Sequence, residues 1–487
     1  MHDLAIIGGG PGGYVAAIKG AQRGLKVLLV EKDALGGTCL NRGCVPTKSF
    51  VYDAKLLQAA RTSPVLRGAA ALTIDPVQMV ARKRKVVKTL VEGLGKIIRS
   101  HGIDIARGKG QLTAPGQVRV HPHEGPAKAY QARHIILASG SKPAVPAFID
   151  VDGQFVQTTD EALEAEDVPA NLIIIGGGVI GMEMAGIYLN LGATVTIVEM
   201  LPDILLTEDQ EIREMMRRLL AQRGAAFYLQ AQAKELTRRK DGVELTFADA
   251  SGAVHALRSD RILVATGRAP VLEGIAVKKL GLKMEGPYLK VNSRLQTNLP
   301  GIYAVGDLVG GRMLAHKAAA EAEAAVDNIL GANRGVRPEK IPRCIWGLAE
   351  IGAVGLTEEE ARATRHQIKV GRFPFTGSAA ARAMGNIDGL AKIVGDAETG
   401  EILGVHIIGA HATDLIGDAV TTMTMESAVE DLAAAIKPHP TLSETLMEAA
   451  LDWSGLAIHT LKKRADNIRY TTGRFIGERN IARDEQA

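Results

Sequence analysis

The chain has 487 residues, of which 46% are hydrophobic and 23% charged, and this composition excludes an extended disordered protein. A length of this order predicts several domains, each with its own core. The net charge of +4 is spread along the sequence and requires no nucleic acid partner, and three cysteines are too few for a structural disulfide framework or a Cys-rich zinc site.

A glycine-rich turn lies near the N-terminus. The apolar residues 4–7 lead into Gly8-Gly9-Gly10-Pro11-Gly12-Gly13 and then into an apolar helix start. Glycines at positions 8, 10 and 13 let the backbone turn tightly and approach a pyrophosphate at the helix N-terminus. A second apolar run ends at Glu31, whose carboxylate can accept hydrogen bonds from ribose hydroxyls. The pattern predicts a dinucleotide site.

The same construction recurs in the middle of the chain. Residues 171–175 precede Gly176, Gly178 and Gly181, and a second run ends at Glu199, 23 residues after the first glycine as in the first copy. Two copies predict two bound dinucleotides. Because a carboxylate repels a 2′-phosphate, Glu199 favours NAD over NADP. We interpret the apolar run 172–189 as strand, turn and helix, since it contains Glu183 and a glycine cluster, and expect no membrane insertion.

Cys39 and Cys44 form a candidate redox pair shortly after the first turn, in the run Gly37-Thr38-Cys39-Leu40-Asn41-Arg42-Gly43-Cys44-Val45-Pro46-Thr47-Lys48. On consecutive turns of a helix, two such thiols would come within reach of a disulfide. The remaining cysteine is Cys344. Without a signal peptide at Met1, we expect a reducing, cytoplasmic setting, where an oxidised pair is catalytic rather than structural.

Further segments indicate how the chain is organised. Residues 135–143 and 261–270 are each a strand followed by a small-residue turn and a proline, as expected where the chain leaves a domain. Residues 76–100 read as a basic amphipathic helix with a solvated face. From about Cys344 onward, strands and helices without a glycine fingerprint predict an α+β domain.

Together these motifs resemble the pyridine nucleotide-disulfide oxidoreductases, and within them the branch that oxidises dihydrolipoyl groups. The resemblance extends from Leu4 to about His459 and also rests on Gly306-Asp307, Met313-Leu314-Ala315-His316-Lys317-Ala318 and His439-Pro440-Thr441-Leu442-Ser443-Glu444. It implies an α/β fold with two Rossmann-like dinucleotide-binding domains, for FAD and NAD, and a C-terminal α+β dimerisation domain. The implied divisions are 1–145 (FAD domain with the redox pair), 146–270 (NAD domain), 271–340 (return to the FAD domain), 341–460 (dimerisation domain) and 461–487 (C-terminal extension).

The resemblance also implies roles for individual residues. FAD would be held by Gly8, Gly10, Gly13, Glu31, Lys48, Gly110, Ser139, Gly140, Asp307, Met313, Leu314, Ala315 and His316. NAD would be held by Gly176, Gly178, Val179, Ile180, Gly181, Glu183, Glu199 and Gly267. Cys39 would exchange with substrate, Cys44 would contact the flavin as a thiolate, and Lys48 and Glu183 would form an ion pair. No metal site is expected.

His439 and Glu444 complete the implied catalytic set. A dithiol attacks a disulfide only as a thiolate, so a base is needed near neutral pH, and imidazole titrates there. A carboxylate on the other ring nitrogen would orient it, and Glu444 lies five residues on. In related enzymes this histidine serves the partner subunit, so the resemblance implies a homodimer.

The implied activity is oxidation of dihydrolipoamide, or of a lipoyl-bearing protein, with reduction of NAD+, as a component of 2-oxo acid dehydrogenase or glycine cleavage complexes. Departures from the family pattern occur at Arg42, Thr47, the segment 346–350 and Lys437-Pro438. They leave open an NAD(P)H-dependent reductase of another small disulfide, or a flavoprotein subunit that acts mainly by docking. Lack of a C-terminal thiol pair disfavours mercuric reduction, and Glu199 disfavours glutathione reduction. We interpret the basic extension as a solvated or subunit-packing tail.

Overall fold

The computed structural model describes residues 1–364 and 367–461, so the predicted extension lies outside the described residues apart from Leu461. The strands are, in chain order, β1 (His2–Ile7), β2 (Val27–Glu31), β3 (Asp104–Arg107), β4 (Lys109–Ala114), β5 (Gln117–His121), β6 (Lys128–Leu137), β7 (Ser141–Pro143), β8 (Val156–Gln157), β9 (Asn171–Ile175), β10 (Thr194–Val198), β11 (Ala226–Tyr228), β12 (Gln232–Arg239), β13 (Gly242–Ala248), β14 (Val254–Ser259), β15 (Arg261–Val264), β16 (Arg268–Pro270), β17 (Met284–Glu285), β18 (Tyr288–Leu289), β19 (Ile302–Ala304), β20 (Arg343–Trp346), β21 (Glu350–Gly355), β22 (Ile368–Pro374), β23 (Leu390–Asp396) and β24 (Ile402–Gly409). The α-helices are α1 (Pro11–Gln22), α2 (Gly37–Asn41), α3 (Cys44–Thr62), α4 (Pro76–Ser100), α5 (Thr159–Ala162), α6 (Val179–Leu191), α7 (Gln210–Gln222), α8 (Val277–Leu280), α9 (Ala315–Ile329), α10 (Glu358–Ala363), α11 (Ala379–Met384), α12 (Ala412–Thr424), α13 (Val429–Ala434) and α14 (Glu444–Trp453).

The chain divides into two compact units, one of Met1–Met200 with Phe227–Arg337, the other of Leu201–Ala226 with the part that begins at Pro338. Within the described residues, no helix is both long enough and apolar enough to cross a bilayer.

A mostly parallel sheet forms the first dinucleotide fold of the first unit. Its strand order is β3-β2-β1-β6-β5-β4, with β19 also paired to β6, and β1, β2, β3, β6 and β19 run parallel. The central strand β1 is apolar throughout its second half, and Leu4, Ala5 and Ile6 are fully buried. Helices α1 and α9 contribute the alanines Ala16 and Ala322 to the same core. Because parallel strands end at one edge, the turn after β1 and the acid ending β2 lie together.

The second dinucleotide fold repeats this arrangement, as the repeated fingerprint predicts. Its sheet has the order β11-β10-β9-β15-β8, with β8, β9, β10 and β15 parallel. An antiparallel sheet, β12-β13-β14, lies between β11 and β15 in the chain and shares a core with the parallel sheet through Phe247 and Ile262, both fully buried.

The two predicted exit segments lie side by side. Strand β7 pairs antiparallel with β16, and Ser141 lies opposite Pro270 while Pro143 lies opposite Arg268. The chain therefore leaves and re-enters the first fold along one two-stranded ribbon.

The second unit contains an antiparallel sheet of order β20-β21-β24-β23-β22, which agrees with the predicted α+β domain. Helices α12 and α14 pack with this sheet around Phe373, Ile393 and Leu446, each at most 2% exposed.

Residues 201–226, which the sequence places within the second dinucleotide fold, instead group with this second unit. Buried ion pairs explain the grouping. The guanidinium of Arg343 donates to both carboxylate oxygens of Glu208 at 2.9 and 3.0 Å, and both residues are buried. Lys392, 1% exposed, contacts Asp209 at 2.8 Å. A buried charge needs a partner of opposite sign, so these pairs commit the segment to this unit.

Lys392 is the centre of a three-carboxylate cluster. Its ammonium lies 2.8 Å from Asp209, 2.9 Å from Glu211 and 2.7 Å from Glu358. Burial alone would raise the pKa of each carboxyl, but the neighbouring cations outweigh it and hold all three pKa values below their usual range. The cluster therefore stabilises the unit above the ordinary carboxyl pKa, and this stabilisation is lost as the pH falls through the lowered values.

We expect Lys392→Met to lower the free energy of unfolding by about 3–5 kcal/mol near pH 7, because three carboxylates lose their shared buried cation. Urea denaturation followed by tryptophan fluorescence measures this change directly, since Trp346 and Trp453 both belong to the second unit. The matched control is Lys340→Met, whose partner Glu426 is exposed at 3.7 Å, with an expected change below about 1 kcal/mol. Equal losses in the two variants would contradict the role of the cluster.

Candidate active site

The first glycine turn has two positions with no room for a side chain and one position with room. Gly8 has φ +110°, and a Cβ there would lie 2.2 Å from the carbonyl oxygen of Ala138. A Cβ on Gly13 would lie 1.7 Å from the carbonyl oxygen of Gly8. A Cβ on Gly10, by contrast, would meet nothing nearer than the Cα of Gly37 at 3.8 Å. The outer glycines thus close the turn, and the middle one leaves the N-terminus of α1 accessible to a phosphate.

The second glycine turn has the same pattern of two crowded positions and one open position. Gly176 has φ +113°, and its Cβ would lie 2.4 Å from the carbonyl oxygen of Ala265. A Cβ on Gly181 would lie 2.1 Å from the carbonyl oxygen of Gly176, whereas one on Gly178 would meet no described atom within 4 Å. Two turns of one design therefore each fit a dinucleotide pyrophosphate.

Both predicted ribose acids are fixed by the fingerprint itself. Glu31, 7% exposed, accepts from the N–H of Gly9 at 2.6 Å and from that of Asp33 at 2.7 Å. Glu199, 8% exposed, accepts in the same way from the N–H of Gly177. A carboxylate has about four acceptor positions, so capacity for ribose hydroxyls remains. The equal spacing from glycine to acid was the sequence signal of this shared geometry.

The two cysteines lie on different helices. Cys39 is in α2, and Cys44 is the first residue of α3, so the predicted placement on consecutive turns of one helix is wrong. Pro46 explains the break: it has no N–H for the carbonyl of Arg42, and its ring would clash there if the helix continued. The chain turns at Gly43, with φ −131° and ψ −103°. Cys44 thereby gains a helix N-terminus, which favours a thiolate.

The two thiols differ in acidity. Cys39 and Cys44 are free thiols, and the thiol of Cys39 is hydrogen bonded to the Cys44 sulfur. That hydrogen bond, together with burial, raises the pKa of Cys39. The same bond lowers the pKa of Cys44 to about 7, with help from Lys48 and against the effect of burial. These effects favour the thiolate form of Cys44 over that of Cys39.

Lys48 and Glu183 form the ion pair that the resemblance implied. The ammonium lies 2.9 Å from each carboxylate oxygen, and the Glu183 side chain is only 7% exposed. Lys48 is one turn after Cys44 on α3, and Glu183 is on α6 of the second dinucleotide fold. Lys48 lowers the pKa of Cys44 and Glu183 raises it, so the pair partly balances its own influence on the thiolate.

Asp307 lies in a hydrogen-bonded chain that sequence reasoning missed. Ser141 donates to the Asp307 carboxylate, and the Arg268 guanidinium donates to Ser141 Oγ at 2.7 Å and to its carbonyl oxygen at 2.8 Å. Ser141 and Arg268 are in the paired strands β7 and β16. Their positions in two similar strand-turn-proline segments were the available signal.

A second network fixes the loop that carries Asp307. Lys317 on α9 lies 2.8 Å from Glu321 and donates to the carbonyl oxygen of Gly310 at 2.8 Å. Glu321 in turn accepts from the N–H of Gly306 at 2.7 Å. Burial raises the pKa of Glu321, although Lys317 acts against it. The loop is thus held at Gly306 and at Gly310 by side chains from the first two turns of α9.

The remaining residues that the sequence assigns to cofactor contacts lie at helix starts, in the exit turns and in strand β4. Leu314 is the N-cap of α9, Met313 and Ala315 flank it half-buried, and His316 is exposed in the first turn. Ser139 donates to the carbonyl oxygen of Val271 at 2.6 Å. Gly140 and Gly267 have φ +70° and +115°, each in an exit turn, and Val179 and Ile180 begin α6. Gly110 in β4 also has a packing reason, because its Cβ would lie 2.9 Å from Ile7 and 3.0 Å from Val30.

His439 and Glu444 are in contact in the second unit. Nδ1 of His439 lies 2.8 Å from Oε1 of Glu444, and Oε2 accepts from the N–H of Thr441 at 2.9 Å. Burial would raise the pKa of Glu444, but the His439 contact and the Thr441 bond together lower it. The imidazole is 69% exposed, so its other edge is accessible to a substrate.

A second histidine and glutamate pair, missed by sequence reasoning, joins Glu448, one turn after Glu444 on α14, to His459, which follows the helix. Nδ1 of His459 is 2.7 Å from Oε1 of Glu448, which is 2% exposed.

Comparison with known proteins gives one family. Residues 2–322 match the pyridine nucleotide-disulphide oxidoreductase model, and residues 341–450 match the dimerisation domain of the same family. The chain is 39% identical over 472 residues to a dihydrolipoyl dehydrogenase of Bacillus subtilis, covering 94% of this chain and 99% of the relative. A dihydrolipoyl dehydrogenase of Thermus scotoductus is 39% identical over 471 residues, covering 95% and 99%. The crystal structure of LpdA from Mycobacterium tuberculosis superposes with a TM-score of 0.86 at 26% identity, covering 92% and 99%.

Opposite substitutions in the ion pair should shift the acidity of Cys44 in opposite directions. We expect Lys48→Met to raise the Cys44 pKa and Glu183→Gln to lower it, because the ammonium stabilises the thiolate and the carboxylate opposes it. The readout is the pH midpoint of the long-wavelength charge-transfer absorbance in the two-electron-reduced, flavin-loaded protein. Lys55→Met, two turns further along α3, is the control. A shift of the same sign in both variants would rule out this electrostatic account.

Proposed function

Because this chain belongs to the pyridine nucleotide-disulphide oxidoreductase family, we propose that it oxidises dihydrolipoyl groups with NAD+. The overall reaction converts a dihydrolipoyl dithiol and NAD+ into the cyclic disulfide, NADH and a proton. The observation that carries the proposal is the pair of unequal thiols, Cys39 and Cys44, beside an ion pair that joins two dinucleotide folds.

The cofactors are FAD and NAD, and the residues present fit them. The open middle glycines, Gly10 and Gly178, mark where a pyrophosphate approaches each helix N-terminus, and Glu31 and Glu199 are placed for the riboses. When bound, FAD would supply the two-electron carrier between the dithiol and NAD+, which would take up the pair as a hydride. We assign the first fold to FAD and the second to NAD. The carboxylate of Glu199 opposes a 2′-phosphate and so selects NAD+ over NADP+.

The dithiol step follows from the two thiol acidities. In the oxidised protein Cys39 and Cys44 share a disulfide, and His439 removes a proton from one substrate thiol, while Glu444 orients the ring. The substrate thiolate attacks the Cys39 sulfur, and Cys44 departs as the thiolate, because the sulfur of lower pKa is the better leaving group. The second substrate thiol then displaces Cys39, which takes up a proton readily because its pKa is raised.

We assign this chemistry to a homodimer in which His439 serves the cysteines of the partner subunit. The match of residues 341–450 to the family's dimerisation domain supports the assembly. The natural dithiol would be carried by a lipoyl-bearing protein, as in a 2-oxo acid dehydrogenase or glycine cleavage complex. We also place the protein in a reducing compartment such as the cytoplasm, where an oxidised cysteine pair is catalytic rather than structural.

Steady-state turnover tests the proposal. The FAD-loaded protein should reduce NAD+ with dihydrolipoamide as donor, and should act much more slowly with NADP+, because Glu199 repels the added phosphate. Oxidised glutathione with NADH or NADPH is the comparison substrate. Lack of dihydrolipoamide turnover in a protein that retains FAD would reject the substrate assignment, and efficient glutathione reduction would favour the alternative reductase.

We expect His439→Gln to slow the dithiol half-reaction by about 10²–10⁴-fold, because the variant lacks the base that generates the attacking thiolate. Reduction of the flavin by NADH should stay at the parent rate, since no thiol takes part. Anaerobic stopped-flow absorbance separates the two half-reactions. His411→Gln, an exposed histidine beside Asp414 in the same unit, is the control. Equal slowing of both half-reactions would remove His439 from the role of base.

A further inference from the structure

Helix α4 carries a buried lysine that the chemistry above does not use. Lys83 is 1% exposed, although lysine is almost never fully buried without a partner. Its ammonium donates to one carboxylate oxygen of Glu164, and the other oxygen accepts from Arg84 at 2.9 Å. Glu164 follows α5, next to strand β8 in the sheet of the second dinucleotide fold. Lys83 therefore connects α4, a helix that comes after the redox pair in the chain, to the second dinucleotide fold.

The same helix is fixed to the redox helix by the preceding residue. Arg82 donates to the hydroxyl of Ser49 at 2.9 Å and lies 3.0 Å from the carboxylate of Asp53. Ser49 immediately follows Lys48 on α3, so Arg82 holds α4 against the helix that begins with Cys44. Adjacent residues of α4 thus face in two directions, one toward the redox helix and one toward the second fold.

These contacts form a closed ring. Helix α3 reaches the second fold through Lys48 and Glu183 on α6, and helix α4 reaches it through Lys83 and Glu164 after α5. Arg82 connects α3 to α4, and the sheet that contains β8 and β9 connects α5 to α6. The two folds also meet where α3 packs against α6 and along the ribbon of β7 and β16. The Lys83 and Glu164 pair adds a contact at a separate point of this connected frame and so limits rotation about the contact between α3 and α6.

We propose that Lys83 and Glu164 are positioning residues that hold the NAD-binding fold in the orientation required for hydride transfer. The inference rests on the proposed function for the identity of the two cofactors. Reacting atoms must approach to about 3–3.5 Å, and a displacement of about 1 Å costs about 100-fold in rate. The lysine end of the pair is buried, whereas the Glu164 side chain is 47% exposed and accepts from both Lys83 and Arg84. Such a pair adds little net stability, but its hydrogen bonds define one geometry. Burial lowers the pKa of Lys83, and the contact with Glu164 opposes this change.

Lys83→Met and Glu164→Gln test the pair, and Lys88→Met is the matched control on the same helix, where the partner Glu92 is exposed and 4.0 Å away. In anaerobic stopped-flow experiments, both test variants should slow flavin reduction by NADH about tenfold or more. Flavin reduction by dihydrolipoamide should stay at the parent rate, because the dithiol reaches the cysteines without the NAD fold. Backbone hydrogen exchange in residues 158–166 should quicken in the test variants and stay unchanged in the control.

The outcomes separate the two proposals. Equal slowing by both reductants, or an unchanged NADH reaction, would overturn the positioning role. If Lys83→Met fails to retain FAD, Glu164→Gln decides the matter, since it keeps the side-chain volume and removes only the charge. A parent protein that reacts with NADH and ignores dihydrolipoamide would refute the proposed substrate, and the NADH measurement would still decide whether the pair positions the fold.

Discussion

The unequal sharing of one proton between Cys39 and Cys44 is the interaction on which the rest of the site depends. The hydrogen bond from Cys39, the start of α3 and the ammonium of Lys48 all place negative charge on Cys44. A symmetrical pair would have no preferred leaving group. The break in the helix at Gly43 therefore matters for function. If one helix continued through this point, Cys44 would lie in its interior and would not be at a helix N-terminus.

Helix α3 connects this charge to the rest of the first unit. Within two turns it presents Cys44, Lys48 and Ser49, which contact respectively the other thiol, the second dinucleotide fold and helix α4. Helix α3 therefore affects both the protonation of the two thiols and the orientation of the second dinucleotide fold. A change in the position of α3 would alter the thiolate and the approach of the second fold together.

The second unit uses buried charge for a different purpose. Lys392 and Arg343 bind carboxylates of residues 208–211, a segment that is separated from them by more than a hundred positions in the chain. Such pairs specify where the segment lies, because any other placement would bury a charge without a partner. Near the end of the same unit, α14 holds His439 through Glu444, so the proposed base depends on a helix that packs into the core of the unit.

The sequence by itself determined the elements whose causes are local. Two glycine fingerprints, each with an acid at the same spacing, specified two dinucleotide folds built on parallel strands. This was possible because the pyrophosphate turn, the helix start and the ribose acid lie within a single strand-helix-strand unit. The Cys39 and Cys44 pair and the five-residue interval from His439 to Glu444 were visible for the same reason. Only the tertiary structure decided the contacts across distant segments: Ser141 with Asp307, Lys83 with Glu164, and the placement of residues 201–226. These contacts join side chains whose separation in the sequence carries no periodic signal, and their geometry arises from how the sheets and helices pack.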